Sequence, residues 1–431
     1  MDDGRPELLA NDSEHPRRLH LIGTSSDIIA LDASGKLSLL NADTGDYSAF
    51  AFSAEWSLSR NAQYRQMLSD IWHEVRDRFY DAAFHGIDWE AIRQNYVARI
   101  DGISEYQDFI DLTRELLGQL NASHLNIWPP PSASRETGLL GIIPDYQDNG
   151  GGMIAAQVLA DSPAARKASE IKVYDKIIGI NGVKVESSDD PYRFLAGTID
   201  QETRIDLINR SGLTRAIALT PISIGEQREL VMRAKESRNR AAVDQMSKSR
   251  IGYIVLSQIT AQSADQFELA LKKYSQSKSG LLIDLRGNSG GSEHDRILSI
   301  LARKPYIKHK PRLGMEGFDA PWSFTGPVAI LIDERTSSDA EILAEGFREL
   351  GLGEITGVTS YGAVIGTEKK QLVDGSVLSI PTVGWYSLSN KNLENHGVSP
   401  DVAAPMDLNK ADQGEDNQLA EAVSRLIAKL K

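Results

Sequence analysis

The spacing of hydrophobic residues changes along the chain, and each spacing predicts a different kind of element. Between residues 19 and 53, short alternating apolar runs are separated by turn-forming stretches, which is typical of a β-meander. From residue 62, apolar side chains recur every three or four positions in three segments, which predicts three amphipathic helices, the last capped by Ser104. We expect the aromatic residues of these stripes to pack in a core rather than to bind a ligand.

A change of composition toward glycine and serine follows the helices. Residues 137–223 contain short strands, two short helical stretches and the pair Asn181-Gly182, which predicts a tight hairpin. A charged helical segment at 225–245 comes next, and strands then alternate with helices to residue 402. This alternation predicts an α/β domain with a mostly parallel sheet, followed by a last helix at 417–430.

These patterns predict an α+β multidomain chain, in keeping with 431 residues at roughly 150 residues per domain. The predicted parts are a loose lead-in (1–18), a β-meander (19–58), a helical subdomain (59–136), a separate β-rich domain (137–223), an α/β domain (224–410) and a C-terminal helix (411–431). The meander is too short to bury both faces. We therefore expect it either to pack on the rest of the chain or to be the last part of a longer β-structure.

The composition narrows the possible functions. The 47 Lys and Arg against 60 Asp and Glu give a net charge of −13, which argues against a broad nucleic-acid-binding surface. The chain has no cysteine, which excludes disulfides, thiolate nucleophiles and zinc-thiolate or iron–sulfur sites. The acidic, polar start and the lack of any long apolar run predict a cytoplasmic protein without a membrane partner. A covalent catalyst here has to be Ser, Thr, Lys or a carboxylate.

Two loops between a predicted strand and a predicted helix are candidate sites for chemistry. Residues 286–291 (RGNSGG) lack the glycine order of a dinucleotide loop and the Lys-Ser/Thr pair of a phosphate loop, so backbone N–H groups facing an oxyanion are the better interpretation. Ser338 follows the apolar run VAILID and precedes an apolar helix, a position that exposes a nucleophile. From position alone, an ordinary helix cap is the favoured interpretation of Ser338.

A serine nucleophile requires a base, and the chain has eight histidines. His124 stands beside Ser123 and before a proline-rich turn, where a side chain can project from a rigid support. On its own it is still compatible with a purely structural histidine.

Several stretches match one protein family in the correct order. They are residues 280–291 (GLLIDLRGNSGG), 336–341 (TSSDAE), 357–366 (GVTSYGAVIG), 374–375 (DG) and 397–402 (GVSPDV), with 85–89 (HGIDW) as a further match. Together they resemble the tail-specific, or C-terminal-processing, serine protease superfamily, over about residues 60–405. The resemblance implies a ClpP/crotonase-like sheet-and-helix core. Residues 137–223 resemble a PDZ domain whose groove adds a peptide strand, with a spacer that binds nothing as the alternative.

The base distinguishes two branches of this superfamily. Where the processing proteases carry the lysine of a Ser-Lys dyad, this chain has Ala363. The tricorn branch uses a Ser-His-Ser-Glu tetrad, and Ser123, His124 and Glu394 stand at the matching positions. The resemblance therefore implies a tricorn-like core with Ser338 as nucleophile and His124 as base. A solvated loop acid is the alternative for Glu394.

The resemblance also implies further details. The oxyanion is expected to bind the N–H groups of Asp339 and Gly290. Lys308 and His309 stand near the position of the family's acidic substrate pocket, so a preference for basic side chains is not expected. The family carries β-propellers before this core, and the meander resembles the closing strands of one. No metal or cofactor is implied.

We therefore expect a serine peptidase that acts on unfolded peptides, with assembly into a ring or hexamer implied by the resemblance alone. The alternative from another class is a non-catalytic peptide- or ligand-binding protein on the same fold. A phosphate- or dinucleotide-binding enzyme is a third, weaker hypothesis.

Overall fold

The computed structural model describes residues 16–32, 36–50, 59–130, 136–145, 151–186, 188–314, 316–319 and 323–430. The chain divides into two compact units, Met1–Gln63 and Tyr64–Lys431. Among the described residues of the first unit, four antiparallel strands form one sheet in the order β1-β2-β3-β4. They are β1 (Pro16–Leu21), β2 (Asp27–Asp32), β3 (Leu37–Asn41) and β4 (Tyr47–Phe50). The predicted meander is confirmed there; most of the predicted lead-in and residues 51–58 lie outside the described residues.

Three helices follow at the predicted positions: α1 (Arg60–Arg78), α2 (Trp89–Arg99) and α3 (Tyr106–Gly118). Their apolar stripes are buried in a common core, as the spacing predicts. Trp72 and Trp89 tie two of the helices together, because each indole N–H donates to the other residue's carbonyl oxygen, at 2.9 and 3.2 Å. The prediction that Ser104 caps the third helix is wrong. Glu105 is the residue before that helix, and its N–H donates to the Asp108 carboxylate at 3.1 Å.

The described residues between 136 and 222 form an antiparallel sheet of six strands that differ in length. Its strands are β6 (Ile142–Asp145), β7 (Met153–Val158), β8 (Lys176–Ile180), β9 (Val183–Lys184), β10 (Thr203–Ile208) and β11 (Thr214–Leu219). Asn181 and Gly182 make the predicted hairpin between β8 and β9, both with positive φ, as this kind of turn requires. Ser162 caps the short 3-10 helix Pro163–Ala165 through its side-chain oxygen, which accepts from the Ala165 N–H at 3.2 Å.

The remaining part is an α/β layer structure around a five-stranded sheet in the order β12-β13-β16-β17-β20, in which every pair is parallel. The strands are β12 (Ile251–Val255), β13 (Gly280–Asp284), β16 (Val328–Ile332), β17 (Gly353–Gly357) and β20 (Val402–Ala403). The helices are α4 (Ile224–Ser247), α5 (Ala261–Ser275), α6 (His294–Leu301), α7 (Asp339–Glu349), α8 (Leu408–Asp412) and α9 (Asn417–Lys429). The predicted mostly parallel sheet is confirmed, and β13 and β16 are buried along their whole length, as parallel strands covered on both faces should be.

The described residues also form two smaller sheets. One contains β14 (Ile307–His309) and β15 (Gly317–Asp319). The other contains β5 (Asn126–Trp128), β18 (Ile365–Gln371) and β19 (Val377–Gly384), in the order β18-β19-β5. Because β5 follows the helical part and pairs with β19, the segment that carries His124 is joined to the part of the chain that carries Ser338.

Candidate active site

Ser338 lies at a sharp turn between β16 and α7. Its backbone angles are φ 59° and ψ −126°, a conformation that a residue with a side chain rarely adopts. Such strain persists only when the surrounding contacts hold it in place, and it occurs most often at functional sites. The turn, residues 336–339, is called the serine turn below. It is tied to the glycine loop (residues 286–291), since the Ser337 N–H donates to the Asn288 carbonyl oxygen at 2.9 Å.

Glu341 supports the serine turn from behind. Its carboxylate is fully buried and accepts from the Ser338 N–H at 2.9 Å, the Ser360 hydroxyl at 2.5 Å, and the N–H groups of Gly362 and Ala363 at 2.7 and 3.0 Å. Burial raises the pKa of Glu341 above its ordinary value, although all four donors oppose this shift. Ser338 therefore does stand where a helix cap stands, but Glu341 also couples the turn to residues 360–363.

The glycine loop approaches the serine so closely that a side chain does not fit. A Cβ atom on Gly290, which has φ +96°, would lie 2.6 Å from the Cβ atom of Ser338 and 3.0 Å from the Asp339 nitrogen. The Gly290 N–H itself donates to the Asn288 side-chain oxygen at 2.7 Å. The loop is thus placed beside Ser338 as predicted, while the Gly290 N–H has a partner within its own loop.

His124 belongs to a second hydrogen-bonded group, together with Ser123 and Glu394. The Ser123 oxygen lies 2.8 Å from His124 Nδ1 and 3.0 Å from Glu394 Oε2. Glu394 also accepts from the N–H groups of Ser123 at 2.6 Å and Val364 at 2.8 Å, and it is only 1% exposed. Glu394 is therefore a buried acceptor of three hydrogen bonds rather than a solvated loop acid.

The hydrogen bonds assign the tautomer of His124. An ionised carboxylate only accepts, so the Ser123 hydroxyl has to donate to Glu394. Its oxygen then accepts from Nδ1–H of His124, which leaves the Nε2 lone pair of the ring available. Partial burial of the ring lowers the pKa of His124 below its ordinary value, against the smaller opposite effect of the Glu394 charge. The ring is neutral at neutral pH, as a general base has to be.

Residues 360–364 join the two groups. Ala363 donates its N–H to Glu341, which holds the serine turn, and Val364 donates its N–H to Glu394, which holds Ser123. Two buried carboxylates, 53 positions apart in sequence, thus accept hydrogen bonds from adjacent residues of one segment. The segment therefore connects the group around the candidate nucleophile with the group around the candidate base through hydrogen bonds.

Lys308 and His309 lie on β14, in the small two-stranded sheet. Both Lys308 and Lys310 pair with Glu316, the latter at 2.5 Å. The His309 ring packs over Gly317, where a Cβ atom would lie 2.5 Å from its Cε1 atom. The cationic charge of this hairpin is thus partly compensated by Glu316, and its contact with substrate stays a prediction.

Two residues of the site were not identified from the sequence. Glu341 was visible only as the acid of a helix cap, although its buried position makes it a structural link. His294, the first residue of α6, forms an ion pair with the carboxylate of Asp339, next to Ser338. In the sequence, its position three residues after the glycine loop is the only sign that His294 belongs to the site. Among the described residues, no group of three or more His, Asp or Glu side chains is placed to hold a metal ion.

Two family models match the chain. The model described as peptidase family S41 matches residues 250–404, which contain the glycine loop, the serine turn and Glu394. The model described as the tricorn protease C1 domain matches residues 60–118. The described part of the chain contains no helix that is long and apolar enough to cross a membrane.

Curated proteins and a solved structure agree with these matches. The chain is 28% identical to tricorn protease homolog 1 of Streptomyces coelicolor and 27% identical to the tricorn protease of Thermoplasma acidophilum, each over 383 residues that cover 86% of this chain and 36% of the relative. It is 25% identical over 268 residues to the carboxy-terminal processing protease CtpB of Bacillus subtilis, which covers 58% of this chain and 53% of the relative. The crystal structure of the tricorn protease has the same fold, with a TM-score of 0.78 at 24% identity over 96% of this chain and 41% of that chain. The chain spans about a third of the length of the tricorn relatives that it matches.

Proposed function

We propose that this chain, which carries a peptidase family S41 domain and a tricorn C1 domain, hydrolyses peptide bonds of unfolded peptides and short oligopeptides with Ser338 as the nucleophile. One observation carries the proposal. The strained Ser338 and the Ser123-His124-Glu394 group are linked through buried carboxylates that hold adjacent residues of the segment 360–364. A chain that only needed a helix cap at Ser338 would not require this second group.

The roles follow from the hydrogen bonds. Ser338 Oγ attacks the peptide carbonyl carbon while its proton passes to Nε2 of His124. When the C–N bond breaks, His124 gives that proton to the leaving amine, and water then hydrolyses the acyl-enzyme in the same way. Ser123 and Glu394 hold the ring in the tautomer that leaves Nε2 free, and the Glu394 charge stabilises the imidazolium that forms.

The oxyanion is proposed to bind two backbone N–H groups. Asp339 N–H is the first of these, at the start of α7, where the positive end of the helix also favours negative charge. For the second, Gly290 has to exchange its bond to Asn288 for the oxyanion. The Gly291 N–H is the alternative donor in the same loop. The bridge between Gly291 and Ile259 is made by the neighbouring groups, the Gly290 carbonyl oxygen and the Ser292 N–H, and does not use the Gly291 N–H.

Replacement of Ser338 tests this function. The chain and its Ser338→Ala variant are incubated with fluorogenic peptides and, separately, with a fluorophosphonate probe. We expect reporter release and a covalent adduct with the unmodified chain only. Ser337→Ala is the matched control, since it removes a neighbouring hydroxyl of the same turn. Equal rates in all three proteins would contradict the assignment.

The rival function is peptide or ligand binding without catalysis. It predicts that peptides bind to the chain and to Ser338→Ala equally, with no adduct from the fluorophosphonate. The buried Glu394 and the assigned tautomer of His124 favour the peptidase, because a binding protein gains nothing from a free Nε2.

Several finer statements belong to the same proposal. The antiparallel sheet of residues 136–222 is proposed to be a PDZ-like domain that adds a peptide strand at its edge strand β6. Lys308 and His309 are proposed to contact substrate and to disfavour basic side chains before the cut. A cytoplasmic location and assembly into a ring or hexamer complete the proposal.

A further inference from the structure

The carboxylate of Asp339 lies between the first turns of two helices. Asp339 is the first residue of α7, and His294 is the first residue of α6. One oxygen of Asp339 bonds to His294 Nδ1, and the other accepts from the His294 backbone N–H at 3.1 Å. The Asp339 side chain is 5% exposed and that of His294 is 19% exposed, so water screens the pair only weakly.

The surroundings of His294 favour its charged form. The hydrogen bond to Asp339 raises the pKa of His294, and the charges of Asp339 on α7 and Asp295 on its own helix act in the same direction, while burial acts against them. Trp385 packs edge-on against the ring, with 5.4 Å between the centroids and an angle of 86° between the planes. The ring is therefore held in one orientation, and its charged form is favoured.

The two helix starts are the ends of the two loops that matter for catalysis. The glycine loop ends three residues before His294, and Ser338 directly precedes Asp339. A bond between His294 and Asp339 therefore connects the loop that supplies one proposed oxyanion donor with the residue whose own N–H is the other. It also helps to hold the strained backbone of Ser338, which needs support from several sides.

We propose that His294 is a positioning residue that acts through the Asp339 carboxylate to fix the Asp339 N–H and the glycine loop relative to Ser338. This inference rests on the proposed function, since it assigns a role within the same site. His294 does not touch the reacting atoms in this scheme. Its effect is on kcat, because donors placed for the oxyanion act in the transition state and not in substrate binding.

The side-chain chemistry allows a graded test. Asparagine places its amide N–H close to where Nδ1 of histidine lies and so keeps the bond to Asp339 without the ring, whereas glutamine places its amide farther out and alanine has no donor. Misplacement of catalytic groups by about 1 Å typically lowers the rate by roughly 10- to 100-fold. We expect His294→Ala to lower kcat by that factor with KM changed less than about twofold. His294→Asn should recover most of the loss.

The measurement is steady-state hydrolysis of a fluorogenic peptide by the full chain, with folding checked by circular dichroism. The variants are His294→Ala, His294→Asn, His294→Gln, Asp339→Ala and the double variant of His294→Ala with Asp339→Ala. His73→Ala is the matched control, because His73 likewise bonds through Nδ1, to the Ser69 carbonyl oxygen at 2.7 Å, but lies on α1. The double variant should be no slower than Asp339→Ala, since His294 acts only through that carboxylate.

Each outcome decides the inference. A kcat for His294→Ala within twofold of the unmodified chain overturns it, as do fully additive effects in the double variant. If His294→Ala does not fold, equal kcat values for the Asn and Gln variants overturn it instead. If the unmodified chain neither cleaves peptide nor forms the fluorophosphonate adduct, the proposed function fails and this inference fails with it. Activity of the unmodified chain with unaffected His294 variants overturns the inference alone.

Discussion

The replacement Glu394→Gln is the sharpest test of the hydrogen-bond network around His124. The carboxylate accepts two backbone N–H groups, from Ser123 and Val364, and the Ser123 hydroxyl. A glutamine amide has one oxygen and one NH2 group, so in either orientation the NH2 group faces one of those backbone N–H groups. One buried donor is then left without an acceptor.

The structure supports an estimate of the effect. An unsatisfied buried donor typically costs about 1–3 kcal/mol. In the transition state the imidazolium also loses the Glu394 charge. If the whole cost of the unsatisfied donor appears in that state, kcat falls by roughly 5- to 150-fold, because each 1.36 kcal/mol corresponds to a factor of ten in rate. The same substitution removes the negative charge that raises the pKa of His124. The acid limb of the pH profile of kcat/KM should therefore move to lower pH.

The assay is hydrolysis of a fluorogenic peptide between pH 4 and pH 9, with kcat and KM determined at each pH. Glu421→Gln is the matched control, because Glu421 is an exposed glutamate on α9. A folded Glu394→Gln protein with the control's kcat and pH profile would refute the assigned tautomer and the role of Glu394.

Three further predictions concern pH, backbone strain and stability. In the unmodified chain, kcat/KM should rise with pH through a pKa below the ordinary value of histidine, because burial lowers the pKa of His124. A pH–rate profile measures this pKa, and a midpoint above the ordinary value of histidine contradicts the prediction. Gly290→Ala should abolish most peptide hydrolysis, because the added Cβ atom would lie 2.6 Å from the Cβ atom of Ser338. The control is Gly351→Ala: Gly351 also has a positive φ, +62°, but a Cβ atom there meets no atom within 4 Å, so this change should lower only the free energy of unfolding. Glu354→Gln should lower the melting temperature much more at pH 7 than at pH 2. Two cationic side chains of α9 lower the pKa of Glu354 to about 2, so its stabilising effect is present above its ordinary pKa and is lost as pH falls through about 2. An equal effect of Glu354→Gln at both pH values would show that the pair does not stabilise the fold.

Elements were predictable wherever neighbouring residues decide them. The three helices after residue 59, the hairpin at Asn181-Gly182 and the alternation of strands and helices after residue 250 followed from spacing and turn chemistry, because helix and turn formation depends on residues within a few positions. The Ser104 cap was off by one residue. Serine and glutamate both stand there, and only the start of the helix at Tyr106 shows that Glu105 is the residue before it.

The site was only partly predictable. Ser338 could be identified as a candidate from its position between an apolar strand and an apolar helix, but the cap and the nucleophile require the same local pattern. Ser123, His124 and Glu394 were identified through resemblance to a family and not from their spacing. His294 and Glu341 were missed, because their significance depends on burial and on partners in other loops.

By itself the sequence determined the order of helices and strands, the absence of thiol chemistry and the loops in which a nucleophile and an oxyanion donor are possible. Only the tertiary structure decided which distant residues meet. Ser123 and Glu394 are 271 positions apart, and His294 and Asp339 are 45 apart. These contacts exist because β5 pairs with β19 and because β13 and β16 are parallel neighbours, which brings the loops at their ends together. Such pairings depend on how the whole chain buries its apolar surface, which the pattern of a local segment does not contain.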